Sequence, residues 1–325
     1  MKKMVIMLIV FVLSVSAFAQ DEEPLTVSPA GRVIDISLAP DESTFMTVSA
    51  SVDRDGNVTN TVLQQWDTLT GEELIQVAPS FNALYTRYSS DGTLIGVGYT
   101  NGSISIHDAA TLDETIMIPN AFGGDGTIFH FSADNSILVG EKSDAVVSNV
   151  EDGALITLVE GVDGESITNI IVSPDGTQLI TSDFGRNLNL HDALTGEIIE
   201  TLAPLEGAAE YLFWVDDTHI LLGGRQSIDL MDIETLEVIH SFGVEGTTMI
   251  YASLYETRLA ASTFGGQAVI WDLETGELVE TVLDGLYRGP QDMALGASVL
   301  VGSSDAGVSV WALANPLLME EDTEE

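Results

Sequence analysis

Cysteine is absent from this 325-residue chain and basic residues nearly so, with 10 Lys and Arg against 51 Asp and Glu and a formal net charge of −41. Without thiols there is no disulfide framework, no thiolate metal site and no cysteine to carry a lipid. Stability must come from a buried core, which a chain of this length is able to build. So negative a charge balance repels nucleic acid and anionic lipid surfaces, and neither is an expected partner. No segment shows a long helical period, and there is no Gly-x-Ser-x-Gly elbow, His-Glu-x-x-His pair or glycine-rich phosphate loop. The commonest hydrolase, zinc-protease and nucleotide-binding signatures are therefore missing.

The one long apolar run lies at the start. Lys2 and Lys3 precede an uncharged stretch from Met4 to Val15, and Ala17-Phe18-Ala19 supplies small residues before Gln20. Residues 1–19 thus read as a secretory signal cleaved after Ala19, which predicts export to a periplasmic, cell-surface or extracellular location. The run is too short for a comfortable membrane span, and no second run of about 18 residues follows, so no membrane insertion is expected. Residues 315–325, with Glu320, Glu321, Asp322, Glu324 and Glu325, read as an acidic, disordered tail. The folded domain is expected over residues 20–314.

What fills that domain is a recurring turn. An apolar strand ends in a two-residue step at Trp66-Asp67, His107-Asp108, Ser148-Asn149, His191-Asp192, Met231-Asp232, Trp271-Asp272 and Trp311-Ala312, at spacings of 40 to 43 residues. Several of these are followed by Thr-Gly, as at Thr70-Gly71, Thr195-Gly196 and Thr275-Gly276. An earlier turn, clearest at Pro174-Asp175-Gly176, precedes each step between strand-like runs. A period of about 40 residues with strand punctuation marks a repeat architecture.

These features resemble the WD-repeat β-propeller family, on the strength of SPDG at Ser173 to Gly176 and WDLETGELV at Trp271 to Val279. The resemblance covers essentially the whole chain after the leader and implies an all-β, seven-bladed propeller of four-stranded blades. Only two repeats keep Trp-Asp, and the Gly-His that often opens such a repeat is absent throughout. The family's His-Ser-Asp-Trp hydrogen-bond network is therefore lost, and apolar packing is expected to hold the blades together. Too little chain follows Trp311 for a good outer strand, so Leu25 to Val27 is expected to pair beside Val308 to Trp311 and close the ring.

Candidate chemistry is sparse. His107 and His191 occupy the repeat position of Trp66, Trp271 and Trp311, which argues for a structural role, and His130, His219 and His240 fall in strand-like segments. A weak calcium candidate is Asp53, Asp55 and Asn57, whose oxygens alternate as in a calcium loop. Val58 and Gln64 stand where such a loop wants Gly and Glu, and an ordinary hairpin uses the same residues. No cofactor and no catalytic residue is expected.

The rare cations give the remaining signal. In a propeller the Pro-Asp-Gly and Thr-Gly turns open on one face, and the other two loop sets share the opposite face. Arg32, Arg54, Lys142, Arg186, Arg225 and Arg288 map to that second face, leaving Arg87 and Arg258 elsewhere. Tyr99, Phe122, Phe184, Phe264 and Tyr287 fall in the same loops. Arg and aromatic residues on rigidly held loops favour binding. The predicted binding face is thus Arg54, Arg186, Arg225, Arg288, Tyr99, Phe184, Phe264 and Tyr287, engaging a protein, peptide or anionic ligand. The alternative is an exported propeller hydrolase or lactonase with a metal in the central channel. It would need inward carboxylates, Asn or His from several blades, and the inner strands offer mainly Asp35, His130 and Asp292.

Overall fold

A computed structural model describes residues 23–54, 58–119, 128–141, 144–204, 209–283, 292–304 and 307–317. Within them, twenty-eight strands form seven antiparallel four-stranded sheets, and the one helical piece is a 3₁₀ turn, Val162–Gly164. The innermost strands are Arg32–Leu38, Ala83–Tyr88, Phe129–Phe131, Ile167–Val172, Tyr211–Trp214, Met249–Tyr255 and Met293–Leu295, here numbered as blades 1 to 7. Innermost strands touch between blades 1 and 2, 3 and 4, 4 and 5, and 6 and 7, and the strand of blade 7 returns to that of blade 1. The seven-bladed, WD-repeat-like propeller expected from the sequence is the observed fold.

The N-terminal strand closes it. Leu25–Val27 pairs with the third strand of blade 7, in the register Leu25↔Val310, Thr26↔Ser309 and Val27↔Val308. Val27 is buried with Ile36, Phe45, Trp66, Val301 and Val308, so the first and last parts of the chain share one core cluster between blades 7 and 1. Such clusters fill the seams between blades; Phe242 of blade 5, for instance, meets Trp271 of blade 6 with ring centroids 5.8 Å apart. Polar links survive beside the packing. Trp66 Nε1 donates to Thr47 Oγ1 at 3.0 Å, His191 Nε2 lies 2.9 Å from Thr181 Oγ1, and His107 Nε2 lies 2.6 Å from Ser105 Oγ. Short hydroxyl contacts within a blade thus stand in for part of the missing network.

The recurring acid now has a physical role. It ends the third strand of blades 1, 2, 4, 5 and 6, and its carboxylate accepts the amide of the residue three places on, at 2.7 Å for Asp67 to Thr70 and 2.8 Å for Asp192 to Thr195. The chain must then turn left-handed to enter the outer strand, as Gly276 does at φ 71°, where a Cβ would also lie 2.6 Å from His240 Nδ1. Hydrogen bonds from the turn threonines, through hydroxyl and amide, hold Asp67, Asp192 and Asp232 below the ordinary value of 3.8. A carboxyl depressed by folding contributes stability above its unfolded pKa and loses it as pH falls through the folded one. Blade 3 uses Asn149 at this position, accepting the Glu151 amide at 2.7 Å. An Asp67→Asn, Asp192→Asn, Asp232→Asn variant should therefore fold normally at pH 7 and unfold at lower pH than the parent when followed by circular dichroism. An unchanged acid midpoint would assign acid unfolding to other groups.

Candidate functional site

Strand order decides which loops share a face. The turns between strands one and two and between strands three and four open on one side of the ring. The loops between strands two and three, and the blade-to-blade connections, open on the other. Arg54, Arg186 and Arg225 lie in strand-two-to-three loops, and Arg32 begins the innermost strand of blade 1 where a connection ends; all four are exposed. Phe184 and Phe264 are exposed in the equivalent loops of blades 4 and 6. Arg186 holds a left-handed φ of 66°, and Arg225 Nε donates to Glu210 Oε2 at 2.6 Å across an exposed pair. Two clefts of about 500 and 520 Å³ open among these loops, one lined by Gln226, Glu245 and Thr247 and the other by Asn60, Phe81 and Asn82.

Not every predicted residue belongs to this surface. Tyr99 is 1% exposed, its ring edge-on to Phe81 with centroids 5.8 Å apart and its hydroxyl 2.6 Å from Ser105 Oγ. It ends a strand rather than starting a loop, so the pleat directs it into the seam between blades 1 and 2, where it supports Phe81 from beneath. Arg288, Tyr287, Lys142 and Phe122 lie outside the described residues, as do Asp55 and Asn57 of the calcium candidate; Asp53 is described and exposed. Among the described residues, no three His, Asp or Glu side chains are grouped as metal ligands.

The central channel holds a second constellation. Asp35 of blade 1 is buried; its carboxylate accepts the Thr86 amide at 2.7 Å and takes Arg87 Nη1 at 2.9 and 3.0 Å. Asp292 enters from the start of blade 7 and is 3% exposed; Tyr251 of blade 6, the Ile36 amide and Asp35 lie beside its carboxyl without a well-aligned hydrogen bond to either oxygen. Two carboxylates thus face one guanidinium. Burial first, and then the charge of Asp35, hold Asp292 well above the ordinary 3.8. With three donated bonds Asp35 is the better anion, so the retained proton sits on Asp292. Burial, followed by the charge of Asp292, also raises Tyr251 well above 10, while burial and the nearby Arg87 push His130 down to about 4. Burial raises Asp35 as well, but Arg87 and the Thr86 amide oppose it, so Asp35 and Arg87 form the ion pair and Asp292 is the carboxyl pushed toward its neutral form.

Asp35, His130 and Asp292 were legible as inner-strand residues, whereas Arg87 and Tyr251 were not. For Tyr251 the signal is one of register. Asp35, Tyr251 and Asp292 precede by three places Leu38, Leu254 and Leu295, which pair with Phe45, Leu259 and Leu300 at equivalent points of their blades. The remaining histidines are structural. His107 Nδ1 and His191 Nδ1 lie 2.9 and 3.1 Å from the carbonyls of Leu112 and Gly196, His219 pairs with Asp216 at 2.8 Å, and His240 Nε2 is 3.2 Å from Glu274 O.

No family model matches the chain, and no curated protein matches it. Among solved structures, the β-propeller domain of Cps50 (Swd1) from Myceliophteria thermophila is similar, with a TM-score of 0.74, 14% identity, and coverage of 89% of this chain and 98% of that one. In all, 1743 solved chains match, which ties the likeness to an architecture and not to one job. Identity this low shows the shared fold alone.

Proposed function

We propose that this WD-repeat-like propeller is an exported, non-catalytic binding module that engages a protein or peptide through its arginine-bearing loop face. One observation carries the reading: among the described residues, every exposed basic side chain, Arg32, Arg54, Arg186 and Arg225, lies on that face, while Arg87 is committed to Asp35 in the channel and Arg258 is buried. On so acidic a chain, a face that gathers the exposed guanidinium groups beside exposed Phe184 and Phe264 offers planar hydrogen-bond donors and apolar anchors together. Export is proposed from the leader-like residues 1–19.

Changing Arg54, Arg186, Arg225 and Arg288 to Ser should abolish retention of a partner that the parent chain recovers from an extracytoplasmic fraction, without altering the melting profile. Equal recovery by both would discard the arginine face. Turnover of a lactone by the parent but not by an Asp292→Asn variant, with no partner recovered, would instead favour the hydrolase reading centred on the channel.

A further inference from the structure

The outer wall of the ring is asymmetric. At the first register position of the outermost strand, blades 1 and 2 carry Glu73 and Glu114, paired with Trp66 and His107. At the same position blades 3 to 6 carry Leu155, Ile198, Val238 and Leu278, paired with Ser148, His191, Met231 and Trp271. These four side chains are 63%, 47%, 54% and 55% exposed. The next residues in blades 4 and 5, Ile199 and Ile239, are exposed as well. The outer strands of blades 3 and 5 reach the third turn of the following blade: Thr157 Oγ1 donates to Thr195 O, and His240 Nε2 lies 3.2 Å from Glu274 O. Equivalent exposed apolar positions thus recur on four consecutive blades, from blade 3 to blade 6.

Propeller geometry does not require this belt, because glutamate occupies the same position in blades 1 and 2. Exposed apolar side chains that recur at one register position on successive blades, rimmed by polar groups, form a surface suited to an interaction. The rim here has one sign: Glu197, Glu237 and Glu277 immediately precede the exposed aliphatics of blades 4 to 6, and no Lys or Arg occurs in those outer strands. The chain's charge of −41 opposes docking of a second copy. A register shift directly after the exposed position in each blade bends the strand edge and disfavours addition of a further strand.

We propose that the belt formed by the outermost strands of blades 3 to 6 docks a protein segment whose aliphatic or aromatic anchors are flanked by lysine or arginine. These strands begin just after the turns on the side opposite the arginine-bearing loops. The belt is thus separate from the loop face, and both are free to be occupied at once.

The test uses the full chain and a synthetic helical peptide with leucine on one side and lysine on the other, beside a scrambled peptide of the same composition, followed by fluorescence anisotropy at physiological salt. The amphipathic peptide should bind, and an Ile198→Ser, Val238→Ser, Leu278→Ser variant, unchanged in charge, should bind it at least about tenfold more weakly. The loop-face arginine variant should bind it as the parent does. Equal affinity of parent and serine variant, equal affinity for the scrambled peptide, or no binding would each overturn the proposal. Phosphatidylcholine vesicles that take up the parent but not the serine variant would reassign the belt to lipid.

Discussion

Replacing Arg87 with leucine should be among the most damaging single substitutions in this protein, lowering the melting temperature at pH 7 by roughly 6 °C. Among the described residues Arg87 is the one cation beside Asp35 and Asp292, and its Nη1 also donates to Thr86 O at 2.6 Å. Breaking a buried ion pair from one side costs about 3–5 kcal/mol, because the remaining charge stays buried and unpaired. The lower end applies here, since 27% of the Arg87 side chain is exposed. For a chain of this size each kcal/mol moves the midpoint by about 2 °C.

The companion variant tests the sign. A carboxyl whose folded pKa is raised contributes its full stability below the unfolded value, and that contribution is lost as pH rises through the folded one. Asp292→Asn, which cannot ionise, should leave the midpoint near pH 3 unchanged and raise it at pH 7. It should also recover part of the Arg87→Leu loss, since one fewer buried carboxyl then needs a counter-charge. Thermal melts at the two pH values decide the matter: a lower midpoint for Asp292→Asn at pH 7 would mean that Asp292 is ionised and stabilising, contrary to its burial beside Asp35.

Deleting residues 20–28 should lower the midpoint by roughly 10 °C and make the protein aggregate as concentration rises. Val27 is fully packed and Leu25 partly so, at about 1.5–3 kcal/mol for each fully buried side chain, and three backbone pairings go with them. The loss extends beyond these contacts. The third strand of blade 7, Gly307–Ala312, becomes an open edge, and the seam against Phe45 and Trp66 is uncovered. A peptide of residues 20–28 added in trans should restore part of the midpoint. An unchanged midpoint in the truncated chain would show that the ring holds without its closing strand.

How far this architecture could be read in advance follows from where its physics is local. The C-terminal acids of the third strands act on amides two or three residues away, and Gly71, Gly196 and Gly276 turn the chain within the same hairpins. Such signals are written in consecutive residues, and their repetition announces seven blades. Ring closure was legible for a related reason: the last repeat shows three strand-like runs, and Leu25 to Val27 offers a fourth.

Three features depended on neighbours far apart in sequence. Tyr99 reads as a loop aromatic until the register of Ala83↔Tyr99 places it inside a seam. Arg87 reads as a stray cation until blades 1 and 7, 52 positions before it and far beyond it in sequence, bring Asp35 and Asp292 against it. The outer belt is a difference between equivalent positions that no local window contains. Sequence alone determined the repeat, the strand pattern and the identity of the closing strand, because hydrogen bonding within a hairpin is settled over a few residues. Only tertiary structure decided which charges are consumed and which apolar side chains stay uncovered, because burial is a property of the whole ring.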